Sequence, residues 1–142
     1  MTGAPTARLY TPEVLALAAS LATYPFDESL PFTGQARSQS CGSTLAMSIG
    51  LDPSGRIACL GLKPHACAIG QASAAIFAAA ARGRGRDEIV ASEAALSKWL
   101  SGDADLPDWP GLAAIAAARD YSARHGAILL PWRAALDALP TG

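Results

Sequence analysis

The chain has 142 residues, of which 51% are apolar and 16% are charged, and its formal net charge is −1. The apolar content is enough for a buried core and argues against disorder, and the low charge argues against nucleic acid or an anionic membrane as a partner. The longest apolar-rich run, residues 66–81, is too short and too polar to span a bilayer. The length predicts one domain over residues 1–142.

The N-terminus and the cysteines predict the compartment. MTGAPTARLY lacks the basic-then-apolar order of a secretory leader, which predicts a cytoplasmic protein. The chain has three cysteines, Cys41, Cys59 and Cys67. A small, odd number of cysteines in a cytoplasmic chain argues against a disulfide framework. Each thiol is therefore a packing residue, a metal ligand or a reactive nucleophile.

The first half of the chain predicts one helix and then strands. Thr11 can cap a helix and Pro12 suits the first helical position, so residues 12–23 are predicted to form an amphipathic helix. In residues 44–51, apolar side chains alternate with small or polar ones, as in a half-buried strand. The turn sequence DPSG, followed by RIACLGL, predicts a hairpin. The preceding FTGQARSQ could supply a third strand.

The second half predicts helices. Helical spacing of small and apolar residues indicates three of them, at about 67–81, 87–100 and 108–119. Asp87 is the expected cap of the second of these helices. Pro131 has no amide hydrogen, so a last helix is expected to begin near Ile128, with the proline in its first turn. Strands clustered before helices predict an α+β fold with helices on one face of the sheet.

The three thiols lie in different settings. Cys67 lies where a helix is predicted to begin, and the free amides and macrodipole of a helix N-terminus stabilise a thiolate there. The same position also suits a small packing residue. Cys41 lies in the polar turn SQSCGST, and its role is open between packing and function. Cys59 lies inside a strand, on the expected face of Ile57 and Gly61, which favours a structural role.

Two histidines accompany the turn cysteines. His65 precedes Cys67 by two positions, and His125 lies just before the last predicted helix. Two cysteines and two histidines in turns are a reasonable ligand set for a soft or borderline metal, although their spacing matches no zinc-finger pattern. The chain has no phosphate-binding loop motif, no dinucleotide fingerprint and no nucleophile elbow.

Three stretches resemble segments of a known family. GQARSQSCGS resembles its G-x-A-x-x-x-x-C-G-D motif, and SGRIACLGLKPHACAIGQASAAI resembles its strand followed by a cysteine and a small-residue helix. The tail ARHGAILLPWRAAL resembles its final cysteine-plus-helix segment. Residues 9–139 thus resemble the iron–sulfur cluster assembly scaffolds of the IscU, SufU and NifU N-terminal type, and the tail is most similar to the SufU version.

The resemblance implies a three-stranded antiparallel sheet with packed helices, and a loop-borne site of three cysteines and one aspartate. Cys41 and Cys67 match the first two cysteines. Ser43 stands where the family has the aspartate, and Gly126 stands where it has the third cysteine. His125 matches a histidine that some members carry directly before that cysteine. The segment DYSARHG also lacks the family's Hsp70-type chaperone motif.

The resemblance implies a scaffold or carrier rather than an enzyme. Such a protein would bind iron or a nascent iron–sulfur cluster, or zinc, through Cys41 and Cys67, with His125 assisting. From its position in the chain, His65 is the nearby candidate for a fourth ligand. A cysteine desulfurase is the expected partner, and a homodimer could share one cluster through two cysteines from each chain. Two alternatives stay open. The chain could accept persulfide sulfur on one thiol and activate the desulfurase, or it could be an interaction module that binds no metal.

Overall fold

The computed structural model describes residues 9–141 and has an α+β fold, as predicted. A three-stranded antiparallel sheet, in the order β1-β2-β3, is packed against helices. The strands are β1 (Phe32–Arg37), β2 (Thr44–Leu51) and β3 (Ile57–His65). The α-helices are α1 (Pro12–Ser20), α2 (Ala68–Ala81), α3 (Arg86–Leu100) and α4 (His125–Ala138), and short 3-10 helices cover Leu21–Thr23, Leu112–Asp120 and Ser122–Arg124.

The described helices include none that is both long and apolar enough to cross a membrane. The expectation that no secretory leader is present concerns mainly residues 1–8, which lie outside the described residues.

The β2–β3 hairpin confirms the predicted turn and adds an irregularity that the sequence did not indicate. The register shifts next to Gly50, so that Gly50 pairs with Cys59 and Leu51 pairs with Ile57, which leaves Ala58 as an extra residue in β3. A bulge of this kind interrupts the alternation of faces. Ile57 is therefore buried while Cys59 is exposed. The expectation that Cys59 packs beside Ile57 in a structural role was wrong.

Helix α4 lies directly on strand β1. A Cβ atom on Gly34 would lie 2.6 Å from the carbonyl oxygen of Ala134 and 2.8 Å from the Cα atom of Ala138. Only glycine permits this approach of two backbones. The carboxylate of Asp137 also accepts a hydrogen bond from the backbone amide of Gln35 at 2.9 Å. These contacts fix the position of α4 relative to the end of β1.

An aromatic cluster joins the helices behind the sheet. Phe77 stacks on Trp109 with ring centroids 5.2 Å apart, and Trp132 meets both rings edge-on. The indole of Trp109 donates a hydrogen bond to the carbonyl of Ile76 at 3.1 Å. The guanidinium of Arg84 lies 4.1 Å from the Trp109 ring centroid, a cation–π contact. The cluster holds α2, α4 and the segment between α3 and α4 together.

The last helix begins earlier than the sequence predicted. Helix α4 starts at His125, directly after a 3-10 turn, and Pro131 lies inside it. An interior proline removes one helical hydrogen bond and costs about 3 kcal/mol. Nine of the fourteen residues of α4 are buried, and this burial outweighs the lost bond. Because Pro131 has no amide hydrogen, the Ala127 carbonyl receives no bond from position 131, and a Cβ on Gly70 would lie 3.8 Å from that oxygen.

Two other helices differ from the sequence prediction in detail. Helix α3 begins at Arg86 with Gly85 as its N-cap, and the Glu88 carboxylate accepts from the Gly85 amide at 3.1 Å, so Asp87 is not the cap. The helix predicted at 108–119 is the 3-10 helix Leu112–Asp120, interrupted by non-helical backbone at Ile115.

Candidate functional site

Both turn cysteines lie at the same end of the sheet. Thr44, at the start of β2, pairs with His65, at the end of β3. The loop of residues 38–43 that enters β2 and the short segment that leaves β3 therefore meet at this end. Cys41 lies in the first of these segments. Cys67 lies in the second, as the N-cap of α2, which confirms the predicted helix start.

The loop that carries Cys41, residues 38–43, is closed by its own backbone. The Ser38 amide donates to the Ser43 carbonyl at 2.8 Å, and the Gly42 amide donates to the Ser38 carbonyl at 2.8 Å. Gly42 has a φ of 73°, a conformation that favours glycine. The closed turn holds the Cys41 side chain half-buried, close to its serine neighbours.

Two buried hydroxyls contact the Cys41 sulfur. Its Sγ lies 3.1 Å from the Ser43 Oγ and 3.3 Å from the Ser38 Oγ. Ser38 is 3% exposed and Ser43 is 5% exposed. The Ser38 hydroxyl is also 3.2 Å from the Ser40 hydroxyl, which donates to the Ala123 carbonyl at 3.0 Å. A short hydrogen-bonded chain thus links the sulfur to the residues just before α4.

These contacts set the ionisation of Cys41. Burial raises the pKa of the Cys41 thiol, but hydrogen bonds from Ser38 and Ser43 and the positive charge of Arg124 lower it. The net effect places the pKa of Cys41 below that of an ordinary cysteine. A larger fraction of Cys41 is then thiolate at neutral pH, and the thiolate is the nucleophilic form.

The first turns of α2 and α4 meet beside Cys67. A Cβ atom on Gly70, in the first turn of α2, would lie 2.9 Å from the Cβ of Ala66 and 3.4 Å from the Cβ of Ala127. Cys67 is half-buried at this junction. Cys67 therefore lies where two helices converge, at the sheet end that also carries the Cys41 loop.

The histidines are placed differently from each other. The Nε2 of His125 lies 2.6 Å from the Arg119 carbonyl, which requires a proton on Nε2, and within residues 9–141 no hydrogen bond involves its Nδ1. His65 is exposed at the end of β3. Within residues 9–141, no group of three or more histidine, cysteine and acidic side chains is close enough to hold a metal ion. The ligand roles of Cys41, Cys67, His125 and His65 stay predictions.

Gly126 faces the Cys41 loop. A Cβ atom at this position would collide with the Ser38 hydroxyl and would lie 3.1 Å from the Ser38 Cβ. The position that the resemblance assigns to a third cysteine is therefore next to Cys41, but the Ser38 side chain occupies the space beside it.

The contacts that three residues make at this site were not predicted from the sequence. The hydroxyls of Ser38 and Ser43 could have been suspected, because serines flank Cys41 closely in SQSCGS. The sequence carries no signal for Arg124, since only the fold brings its charge near the thiol.

Neither protein-family models nor curated protein sequences match the chain. Among solved structures, it is similar to the N-terminal part of a NifU-like protein from Brucella abortus, with 25% identity, 94% of each chain covered and a TM-score of 0.84. It is also similar to a putative iron–sulfur cluster assembly scaffold protein for the SUF system from Fervidobacterium islandicum AW-1, with 19% identity, 94% of this chain and 98% of that chain covered, and a TM-score of 0.82. These structural neighbours confirm the resemblance that the sequence predicted.

Proposed function

We propose that this chain serves iron–sulfur cluster assembly as a scaffold-like carrier, rather than as an enzyme, and that it carries sulfur on Cys41. The observation that supports this most is the Cys41 thiol, which two buried hydroxyls contact and whose pKa they lower. This thiol lies in a chain whose fold is similar, over 94% of its length, to that of a putative iron–sulfur cluster assembly scaffold protein for the SUF system.

The sulfur step needs only a persulfide donor, for which a cysteine desulfurase is the expected partner. The Cys41 thiolate attacks the outer sulfur of a persulfide on the partner, whose sulfur–sulfur bond breaks. The partner's cysteine leaves as a thiolate, and the outer sulfur and its proton stay on Cys41 as a new persulfide. One sulfur–sulfur bond is lost and one is formed, so no oxidant is consumed.

Alanine release tests this function. A desulfurase converts cysteine to alanine and keeps the sulfur as a persulfide, so without a reductant it stops after its first turnover. If Cys41 accepts the sulfur, adding this chain should increase the alanine released in proportion to the chain added. Cys41→Ser should abolish the increase in alanine. Cys59→Ser removes an exposed thiol away from the site and should leave the increase unchanged. An equal increase with Cys41→Ser would contradict the proposal.

Iron or a nascent cluster is the second candidate cargo, held by Cys41 and Cys67 with His125 and His65 assisting. Two observations favour it: both half-buried thiols lie at one end of the sheet, and the His125 Nδ1 has no hydrogen bond to any of the described residues. Because one chain offers two such thiols, a cluster with four thiolate ligands would join two copies, two from each.

Anaerobic reconstitution with iron and sulfide tests the second candidate. A cluster absorption band, with a dimer mass for the intact assembly, is expected for the wild type and for Cys59→Ser. Cys41→Ser and Cys67→Ser should each lose the band. A wild type without a band would contradict a cluster cargo.

For zinc, equal metal content in the purified wild type and Cys41→Ser would contradict a site at Cys41.

A further inference from the structure

We infer that Ser38 and Ser43 are positioning residues for the Cys41 sulfur. We also infer that Ser38 and Gly126 together exclude a third metal ligand from the space beside that sulfur, so that the site of a single chain takes sulfur in preference to a metal ion. The inference rests on the proposed function and names the feature that selects between its two candidate cargoes.

Ser43 supports the Cys41 sulfur in both of its states. Its hydroxyl is buried, and within the described residues its side chain has hydrogen-bond geometry only with Cys41. A hydroxyl can accept a hydrogen bond from a thiol and donate one to a thiolate or to a bound sulfur atom. No competing partner holds the Ser43 proton, so it can turn toward the sulfur when negative charge develops there.

Ser38 supports the sulfur from the side of α4. The Ser40 hydroxyl proton is committed to the Ala123 carbonyl, so in the contact between Ser38 and Ser40 it is Ser38 that donates. Ser38 then accepts from the Cys41 thiol, and when the sulfur is charged the Ser38 proton can turn to the sulfur instead of to Ser40. The chain from Cys41 through Ser38 and Ser40 to Ala123 holds the Ser38 oxygen beside the sulfur in both states.

The same hydroxyl fills the space in front of Gly126. A Cβ on Gly126 would point at the Ser38 Oγ, which lies 3.3 Å from the Cys41 sulfur. A side chain at position 126 would therefore enter the space beside that sulfur. A neutral hydroxyl is a poor ligand for zinc or iron compared with a thiolate. The place of a third ligand is thus taken by a group that contacts the Cys41 sulfur and is a poor metal ligand.

The geometry also shows which change would open the site. Without the Ser38 side chain, a Cβ at position 126 would lie 3.6 Å from the Cα of residue 38, an ordinary contact. With Ser38→Ala the remaining Cβ would still be 3.1 Å away, which is closer than an ordinary contact. The informative pair of substitutions is therefore Ser38→Gly with Gly126→Cys.

Zinc titration against a chelator tests the exclusion of a metal in four proteins: wild type, Ser38→Gly, Gly126→Cys and the double variant. The double variant should bind one zinc ion per chain about tenfold tighter, or more, than the other three, because only there can a third thiolate reach the site. Ser38→Gly alone is the matched control for the loss of the hydroxyl.

Three outcomes would overturn the exclusion. The wild type could bind one zinc per chain as tightly as the double variant, or Gly126→Cys alone could do so. The double variant could also gain no affinity although its circular dichroism and unfolding temperature match those of the wild type.

A second measurement does not depend on the double variant folding. The rate of sulfur loading on Cys41 from a desulfurase persulfide, at one fixed pH, should fall about tenfold in Ser43→Ala and in Ser38→Ala, since each loses one hydrogen bond to the charged sulfur. Equal rates in wild type and both variants would overturn the positioning role. A wild type that takes no sulfur would instead contradict the proposed function, so the two failures are distinguishable.

Discussion

Cys41 differs from the other two cysteines in what its sulfur contacts. Cys59 is exposed on the bulged strand β3, and Cys67 is the N-cap of α2 without a side-chain capping bond. Only the Cys41 sulfur has hydrogen-bond geometry with hydroxyls among the described side chains, and both of those hydroxyls are buried. The proposed reactivity of Cys41 therefore depends on Ser38 and Ser43, whose hydrogen bonds lower the pKa of its thiol.

The lowered pKa of Cys41 predicts a pH profile for its alkylation. A thiol reacts as the thiolate, so the rate rises with pH through its pKa. For Cys41 the half-maximal rate should be reached at a lower pH than for an ordinary cysteine, whose pKa is about 8.5. Ser43→Ala removes one of the hydrogen bonds that lower the pKa of Cys41, so it should move the profile to higher pH.

Peptide mass spectrometry after brief treatment with iodoacetamide gives this profile, and the exposed Cys59 in the same sample serves as the internal reference for reagent and time. Identical profiles for Cys41 in the wild type and Ser43→Ala would show that the serine hydroxyl does not stabilise the thiolate.

The contact between α4 and β1 is the element-scale feature that brings Gly126 to the Cys41 loop. Gly34→Ala should destabilise the fold by about 1–3 kcal/mol, because its Cβ would overlap the α4 backbone. Gly85→Ser is the matched control, since a Cβ at Gly85 meets nothing within 4 Å and serine is a favoured N-cap. Urea unfolding of both variants measures the change, and equal stability of Gly34→Ala and the wild type would contradict the close packing.

A buried hydrogen bond joins α2 to α4 behind the site. The Ser73 hydroxyl, which is fully buried, donates to the Ile128 carbonyl at 2.6 Å. Ser73→Ala should lower the free energy of unfolding by about 1–2 kcal/mol. Ser92→Ala, in the more exposed helix α3, removes a local hydrogen bond and should change stability by less than about 0.5 kcal/mol. A Ser73→Ala variant as stable as Ser92→Ala would show that this link between the helices contributes little.

At the level of elements, periodicity predicted most of the fold and missed features that depend on tertiary packing. The alternation in residues 44–51 and the DPSG turn were sufficient for the hairpin. The bulge at Ala58, which exposes Cys59, follows from the pairing register and leaves no local signal. We expected the last helix to begin near Pro131 because a proline inside a helix is costly. The sequence does not show the burial of α4 that offsets this cost.

At the scale of the whole molecule, the order of elements predicted the α+β class. Strands that are grouped before helices indicate one sheet on which the helices pack. The sequence also predicted that Cys41 and Cys67 lie in turns, and the sheet register brings both to one end. It could not predict that Ser38 fills the space facing Gly126, since these residues are far apart in the chain and only the seating of α4 on β1 brings them together.

The most direct test of the account is to locate sulfur on the chain after incubation with a cysteine desulfurase and cysteine under anaerobic conditions. Peptide mass spectrometry without reductant should find the added mass of one sulfur atom on the peptide of Cys41, and little on that of Cys59. Wild-type protein that takes no sulfur on Cys41, while the same desulfurase loads a known acceptor, would contradict the account.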